Sequence, residues 1–175
     1  MTMSIVDTMM LGRLSPEAMS AASVSGILFF TITVFGMGVL FGLDTLVSQA
    51  HGAGQDLDAQ QSLVAGLWLS IPLCAVLMIL QRAAIPFMTW LEVNPRVLEL
   101  AVPFTATLSW STPPLLVYTA ARRYLQGTGR VRPIMFALVS ANLVNAGGDW
   151  ALIFGHFGLP ALGSQGAAWA TVASR

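Results

Sequence analysis

Long uncharged apolar runs alternate with short polar punctuation along this chain. Ala18 to Leu43, Ala59 to Gln81 and Leu100 to Ala121 carry no charge, and Pro133 to Phe154 is apolar apart from Asp149. A helix advances about 1.5 Å per residue, so roughly 20 such residues cross a hydrocarbon layer about 30 Å thick. Each run therefore predicts a complete transmembrane span. Leu, Ala, Met and Val fill the runs without period-2 alternation, which selects helices over an outer-membrane barrel. Met1 to Leu11 is apolar but only eleven residues long, about 16 Å as helix, and Ser164 to Ser174 begins another apolar helix. Both read as portions of spans, and the chain as a fragment of a longer protein. The expected fold is all-α, a polytopic transmembrane helical bundle in one domain, 1–175. Its helices are 1–11 (partial), 16–50, 59–81, 95–125, 133–154 and 164–175 (partial).

Capping chemistry sets the boundaries. Ser15-Pro16-Glu17 offers an N-cap hydroxyl, a proline at the first helical position and an acid in the first turn, and Asn94-Pro95 repeats the device. Gly-rich turns fall at His51 to Asp58 and Gln126 to Gly129, and Gly155 with Gly158-Leu-Pro160 ends the fifth helix. Pro72 predicts a kink in the third span and Pro113-Pro114 one in the fourth.

Composition sharpens the class. Of the 175 residues 55% are apolar and 9% charged, against about 25% charged in soluble domains, and the mean hydropathy is +0.73. A soluble domain and a disordered tail are excluded, and a net charge of zero offers no basic excess for nucleic acid. Cys74, the one cysteine, forms no intrachain disulfide or thiolate cluster, and His51 and His156 sit in loops without a metal-ligand pattern, so no metal site is expected. All eight basic residues are Arg. Four of them, Arg122, Arg123, Arg130 and Arg132, share one loop, which the positive-inside rule places in the cytoplasm; Arg13, Arg82 and Arg96 then fall outside.

An acid inside a span costs roughly 2.5 to 3.5 kcal/mol even on the lenient insertion scale, so each calls for a reason. Asp44 lies near the cytoplasmic end of the second span and reads as a solvated helix-end carboxylate bonded to local hydroxyls. Asp149 shares one helix face with Asn145 and Asn142, a polar stripe on an otherwise apolar helix. An i, i+4 hydrogen bond from Asn145 would orient Asp149. Asp7 and Asp149 each stand about five or six residues from the outer end of their helices, about 8 to 10 Å deep, a shared depth that lets them face one chamber. Two close acids in such a pocket titrate as a pair that shares one proton. The plainer alternative is interhelical hydrogen bonding that holds the bundle together. Thr105, Ser109 and Thr112 form a hydroxyl stripe on the fourth span that reads as helix packing.

Four segments in order resemble the multidrug and toxic compound extrusion (MATE) family of secondary transporters. They are Val6-Asp-Thr-Met-Met-Leu-Gly-Arg-Leu14, Asp44-Thr-Leu-Val-Ser-Gln-Ala-His-Gly-Ala-Gly54, Arg122-Arg-Tyr-Leu-Gln-Gly-Thr-Gly-Arg-Val-Arg-Pro133, and the stretch from Asn145 through Asp149 and Gly155 to Pro160-Ala-Leu-Gly-Ser-Gln-Gly-Ala-Ala-Trp-Ala-Thr171. The resemblance implies half of a twelve-helix, two-lobe transporter, this chain being part of the first lobe and the second lobe its missing partner. It further implies a multi-pass protein of the plasma (inner) membrane that exports organic, cationic or amphipathic compounds by antiport and is not an enzyme. No cofactor is implied, only a coupling ion, H+ or Na+. The family's coupling carboxylates and amide map onto Asp7, Asn145 and Asp149, with Thr171, Asn142 and Asp44 as possible supporting residues.

Two other readings exist. A lipid-linked oligosaccharide flippase of the same superfamily would be expected to show a strongly basic cavity, which no helix here provides. An intramembrane aspartyl protease is imitated by Gly148-Asp149 and Pro160-Ala-Leu162. It is opposed by Ala146 where a Gly-x-Gly-Asp motif needs Gly, by Val6 where Tyr usually precedes the first acid, and by acids four helices apart in sequence.

Overall fold

A computed structural model describes residues 2–90, 94–156, 158 and 160–175, with only the backbone described at 2–5, 89 and 90. Met1, where the first predicted helix begins, lies outside them. Every element among the described residues is helical: α1 Thr2–Gly12, α2 Pro16–Leu40, α3 Gly42–Gly52, α4 Asp56–Ala83, α5 Ile85–Trp90, α6 Pro95–Ser109, α7 Thr112–Gly127, α8 Arg132–Phe154 and α9 Ser164–Ser174. The capping residues act as their chemistry requires. Ser15, in extended backbone, accepts the Ala18 amide on its Oγ at 3.0 Å, and Asn94 Oδ1 accepts the Arg96 amide at 3.0 Å. Gly155 closes α8 at φ +75, where a Cβ would stand 2.9 Å from the Ala161 nitrogen, so only glycine fits both the backbone and the space.

Three departures from the predicted elements stand out. The span expected over 16–50 is divided at Phe41, which stays helical in φ and ψ while its amide is shared between the Met37 and Gly38 carbonyls. The span expected over 95–125 is two helices. Pro113 and Pro114 have no N–H to offer the carbonyls four residues back, Ser109 and Trp110, so α6 ends there and α7 starts afresh. Pro72, by contrast, sits within a continuous α4. Finally α5 occupies a stretch read as loop, because buried Met88 anchors it against Ala21 of α2 and Val97 and Ala101 of α6.

Among the described residues Pro16–Gly52 and Asp56–Met88 are long and apolar enough to cross a membrane. The break in the fourth span and the polar stripe of α8 keep those two helices from matching them. The bundle turns large apolar side chains outward, with Phe35, Trp68 and Phe136 about 70% exposed or more, while Ser25, Thr33, Gln81, Thr105 and Thr112 are buried inside. That distribution suits a bundle in hydrocarbon, where each interior polar group must find a partner on a neighbouring helix. Ser25 of α2 receives a hydrogen bond from Thr105 of α6 at 2.9 Å, and Gln81 of α4 joins Thr33 of α2 at 3.2 Å to Thr112 of α7 at 3.1 Å.

Candidate functional site: a carboxylate chamber

Close approach of α8 and α9 makes the chamber possible. A Cβ on Gly166 would stand 2.5 Å from the Leu152 carbonyl carbon and oxygen, and one on Gly148 would meet the Ala170 Cβ at 3.0 Å. Gly166 and Ala170, one turn apart on α9, with Gly148 on α8, therefore let the two backbones nearly touch. The neighbours of these contacts, Asp149 on α8 and Thr171 on α9, are thereby carried to the same place. There α1 also packs against α8 and α9 and brings Asp7.

The helix positions give one depth. Asp7 stands five residues from Gly12, Asp149 five from Phe154 and Thr171 seven from Ser164, which is about 7 to 11 Å from the same end of the bundle. Thr171 Oγ1 donates to Asp7 Oδ2 at 3.2 Å. Asp7 and Asp149 lie close enough for their carboxyls to repel one another, a repulsion that a shared proton or an intervening cation relieves. Asn145 and Asp149 have no exposed surface at all. Asp7 Oδ1, both Asp149 oxygens and both polar atoms of the Asn145 amide are buried without a hydrogen-bond partner among the described residues. Buried polar groups are otherwise nearly always satisfied, so this cluster of orphans is exceptional.

Four sequence-predicted residues thus come together: Asp7, Asn145, Asp149 and Thr171. The expected hydrogen bond from Asn145 to Asp149 is not among the bonds formed, though the two share a face one turn apart. Asn142 does not join them by its amide, which donates to the Leu138 carbonyl of its own helix at 2.6 Å. Asp44 lies at the other end of the bundle. Its partner is not a local hydroxyl but Arg123 of α7, whose Nη1 donates to Asp44 Oδ2 at 2.7 Å and whose guanidinium covers the Phe41 ring at 3.8 Å. A helix-end acid facing a cation on the adjacent helix gains more from that pair than from hydroxyls.

The hydroxyl stripe is packing, as read: Thr105 and Thr112 bond to Ser25 and Gln81, and Ser109 bonds back to the Ala106 carbonyl at 2.7 Å. Distance in sequence was a poor argument against paired acids, since the helices carrying Asp7 and Asp149 are neighbours in space. The mismatches at Ala146 and Val6 remain. Two polar participants escaped the sequence reading, Gln81 and Arg175. Each follows directly on a largely apolar run, and that is the signal that marks them.

Chemically, the carboxylates, the Asn145 amide oxygen and the Thr171 hydroxyl surround a water-poor space with oxygen ligands. Such a set accepts a proton or a hard cation.

The MatE family profile matches residues 1–151. The multidrug resistance protein PmpM of Pseudomonas aeruginosa is 31% identical over 97% of this chain, covering 36% of that protein. The multidrug resistance protein MdtK of Photorhabdus laumondii is 32% identical over 97% of this chain and 37% of its own length. The crystal structure of the eukaryotic MATE transporter AtDTX14 superposes with a TM-score of 0.89 at 24% identity, over 98% of this chain and 38% of that one. A MATE in the bent conformation gives 0.88 at 23%, with the same coverage. The chain thus spans a little over a third of the length of the relatives it matches.

Proposed function

The chain belongs to the MatE family, integral membrane transporters, and from that premise we propose that it forms the first lobe of a secondary active exporter. The exporter drives organic, cationic or amphipathic compounds out across the plasma membrane by antiport against protons or sodium, with Asp7, Asn145, Asp149 and Thr171 as the coupling site. It acts by binding and conformational change rather than by making or breaking covalent bonds, and the second lobe supplies the other wall of the substrate cavity.

The observation that carries this reading is the proximity of fully buried Asp149 to half-buried Asp7, with Asp7 Oδ1 and both Asp149 oxygens left unpartnered. Two carboxylates in a low-dielectric interior repel one another and are poorly solvated. A proton or sodium ion arriving from outside relieves both costs, and so favours whichever lobe arrangement closes around the neutralised site. A ligand shifts a conformational equilibrium only by its differential affinity for the two states. If the cation favours the state that releases substrate, linkage requires that bound substrate weaken cation binding in return, and that reciprocity is antiport. Thr171 fixes Asp7 through its hydrogen bond, and Asn145 presents an amide oxygen that can ligate without adding charge.

The test is reconstitution of the full-length protein with Asp149→Asn, first under a proton gradient and then under a sodium gradient. Loss of uphill export at wild-type expression, under the gradient that drives the wild type, is the expected result. A variant that still moves substrate uphill with an undiminished cation requirement would remove the site from the mechanism.

A further inference from the structure

Arg175 follows the last residue of α9, four residues beyond Thr171, so the two lie on one face of the chain's helical path. Its side chain runs into the bundle. Nη1 donates to Ser111 Oγ at 2.9 Å, and the guanidinium stands over the Phe29 ring, 4.7 Å from its centroid. Ser111 lies in the break between α6 and α7, is itself fully buried, and passes its own proton to the Leu108 carbonyl at 2.7 Å. Phe29 is a core residue of α2. An arginine held by a hydroxyl and an aromatic face inside an apolar bundle carries a full charge with no carboxylate bonded to it among the described residues, and Asp7 is close enough to attract it.

Among the described residues the other charges of the surrounding helices stand at or near helix ends, Arg13 just beyond α1 and Arg82 in the last turn of α4. Arg132 opens the opposite end of α8 and Glu17 lies in the first turn of α2. Arg96 and Glu99 belong to the first turns of α6, and Arg122 and Arg123 to the far end of α7. Among the described residues the chamber thus brings together two carboxylates, Asp7 and Asp149, and one guanidinium, Arg175, which leaves one net negative charge.

We propose that Arg175 is the tethered counter-ion of the carboxylate chamber, held by Ser111 and Phe29, and that it limits the chamber to one monovalent cation at a time. This rests on the coupling-site reading given above. With Arg175 in place, the first cation brings the chamber to neutrality and a second would leave it positive in a low-dielectric interior, which is strongly unfavourable. Without the guanidinium two cations, or one divalent ion, restore neutrality. The Ser111 tether also keeps Arg175 from closing onto Asp7 and filling the site itself.

The test uses the intact transporter containing this lobe, purified in detergent, with Trp150 and Trp169, neighbours of the chamber in sequence, as fluorescent reporters. Sodium is titrated at fixed pH, and protons are titrated in sodium-free buffer. Wild type is expected to bind the effective cation with a Hill coefficient near one. Arg175→Gln is expected to bind the first cation about tenfold tighter or more, since a unit charge is lost close to a carboxylate, and to take a second cation or respond to calcium. Arg175→Lys should behave as wild type, because charge rather than shape is at issue. Ser111→Ala, which removes the tether together with the bond to the Leu108 carbonyl, should shift affinity the opposite way, several-fold weaker, and serves if Arg175→Gln does not fold. Asp149→Asn separates the two layers of argument. If it retains the cation response, the coupling-site reading fails whatever Arg175 does. If it loses the response while the Arg175→Gln and Ser111→Ala affinities both equal wild type, the counter-ion proposal alone is overturned.

Discussion

Replacing Gly166 by alanine adds one methyl group at the tightest contact between α8 and α9. The new Cβ would stand 2.5 Å from the Leu152 carbonyl carbon and oxygen and 2.9 Å from the Ile153 nitrogen. These are backbone atoms of a continuous helix, so no side chain can turn aside and α9 as a whole must retreat. Restoring ordinary contact near 3.4 to 3.5 Å requires a displacement of about 1 Å. Overpacking of this kind typically costs about 1–3 kcal/mol. The same displacement stretches the 3.2 Å bond from Thr171 to Asp7 beyond hydrogen-bonding range, so stability and cation response should fall together. Gly147→Ala supplies the control on α8, because a Cβ there meets nothing within 4 Å and the helix gains up to about 1 kcal/mol from replacing glycine. A third variant tests the logic from the other side. At Gly66 the obstacle is the end of the Leu43 side chain, 2.6 Å away at Cδ1, which can turn aside, so Gly66→Ala should cost less stability than Gly166→Ala. Thermal unfolding in one detergent, followed by loss of helical circular dichroism, reads all of these. If Gly166→Ala proves as stable as Gly147→Ala, the backbone-to-backbone approach of α8 and α9 is wrong, and with it the way the chamber is assembled.

The Asp44–Arg123 pair is partly exposed, 39% and 20% at the side chains, so either neutralisation alone should cost no more than about 1 kcal/mol, and a double-mutant cycle should return a coupling of that size; a coupling near zero would mean that the pair does not join α3 to α7. Gln81→Leu leaves the Thr112 hydroxyl without its acceptor in the interior, and should lower stability by about 1–3 kcal/mol, with Thr112→Val partly compensating in the double variant. In a Cys74→Ala background, cysteines at Ser15 and Thr128 should label from opposite sides of the membrane, Thr128 from the cytoplasm; labelling of both from one side would refute the orientation.

Much of the helix layout was legible because the forces that set it are local. Hydropathy, the caps at Ser15 and Asn94 and the glycine at 155 act within a few residues of themselves, and so their consequences can be read along the chain. The shared face of Asn145 and Asp149 follows from helical pitch alone, and their common depth with Asp7 from counting residues at fixed rise. Which helices touch, how closely and at what rotation is set by packing between residues far apart in sequence. Contact of Gly166 with Leu152 moves Thr171 to Asp7, and the pairing of Asp44 with Arg123, 79 residues away, displaces the local hydroxyls expected for it. Met88 turns a stretch read as loop into α5 by finding a pocket between α2 and α6. The prolines at 113 and 114 announced a kink, but only the three-dimensional break shows that Ser111 is left facing the interior, where Arg175 reaches it. Sequence could name the charged residues of the chamber's helices one at a time. Their sum within one small volume, which governs what the chamber will bind, exists only once the helices are packed.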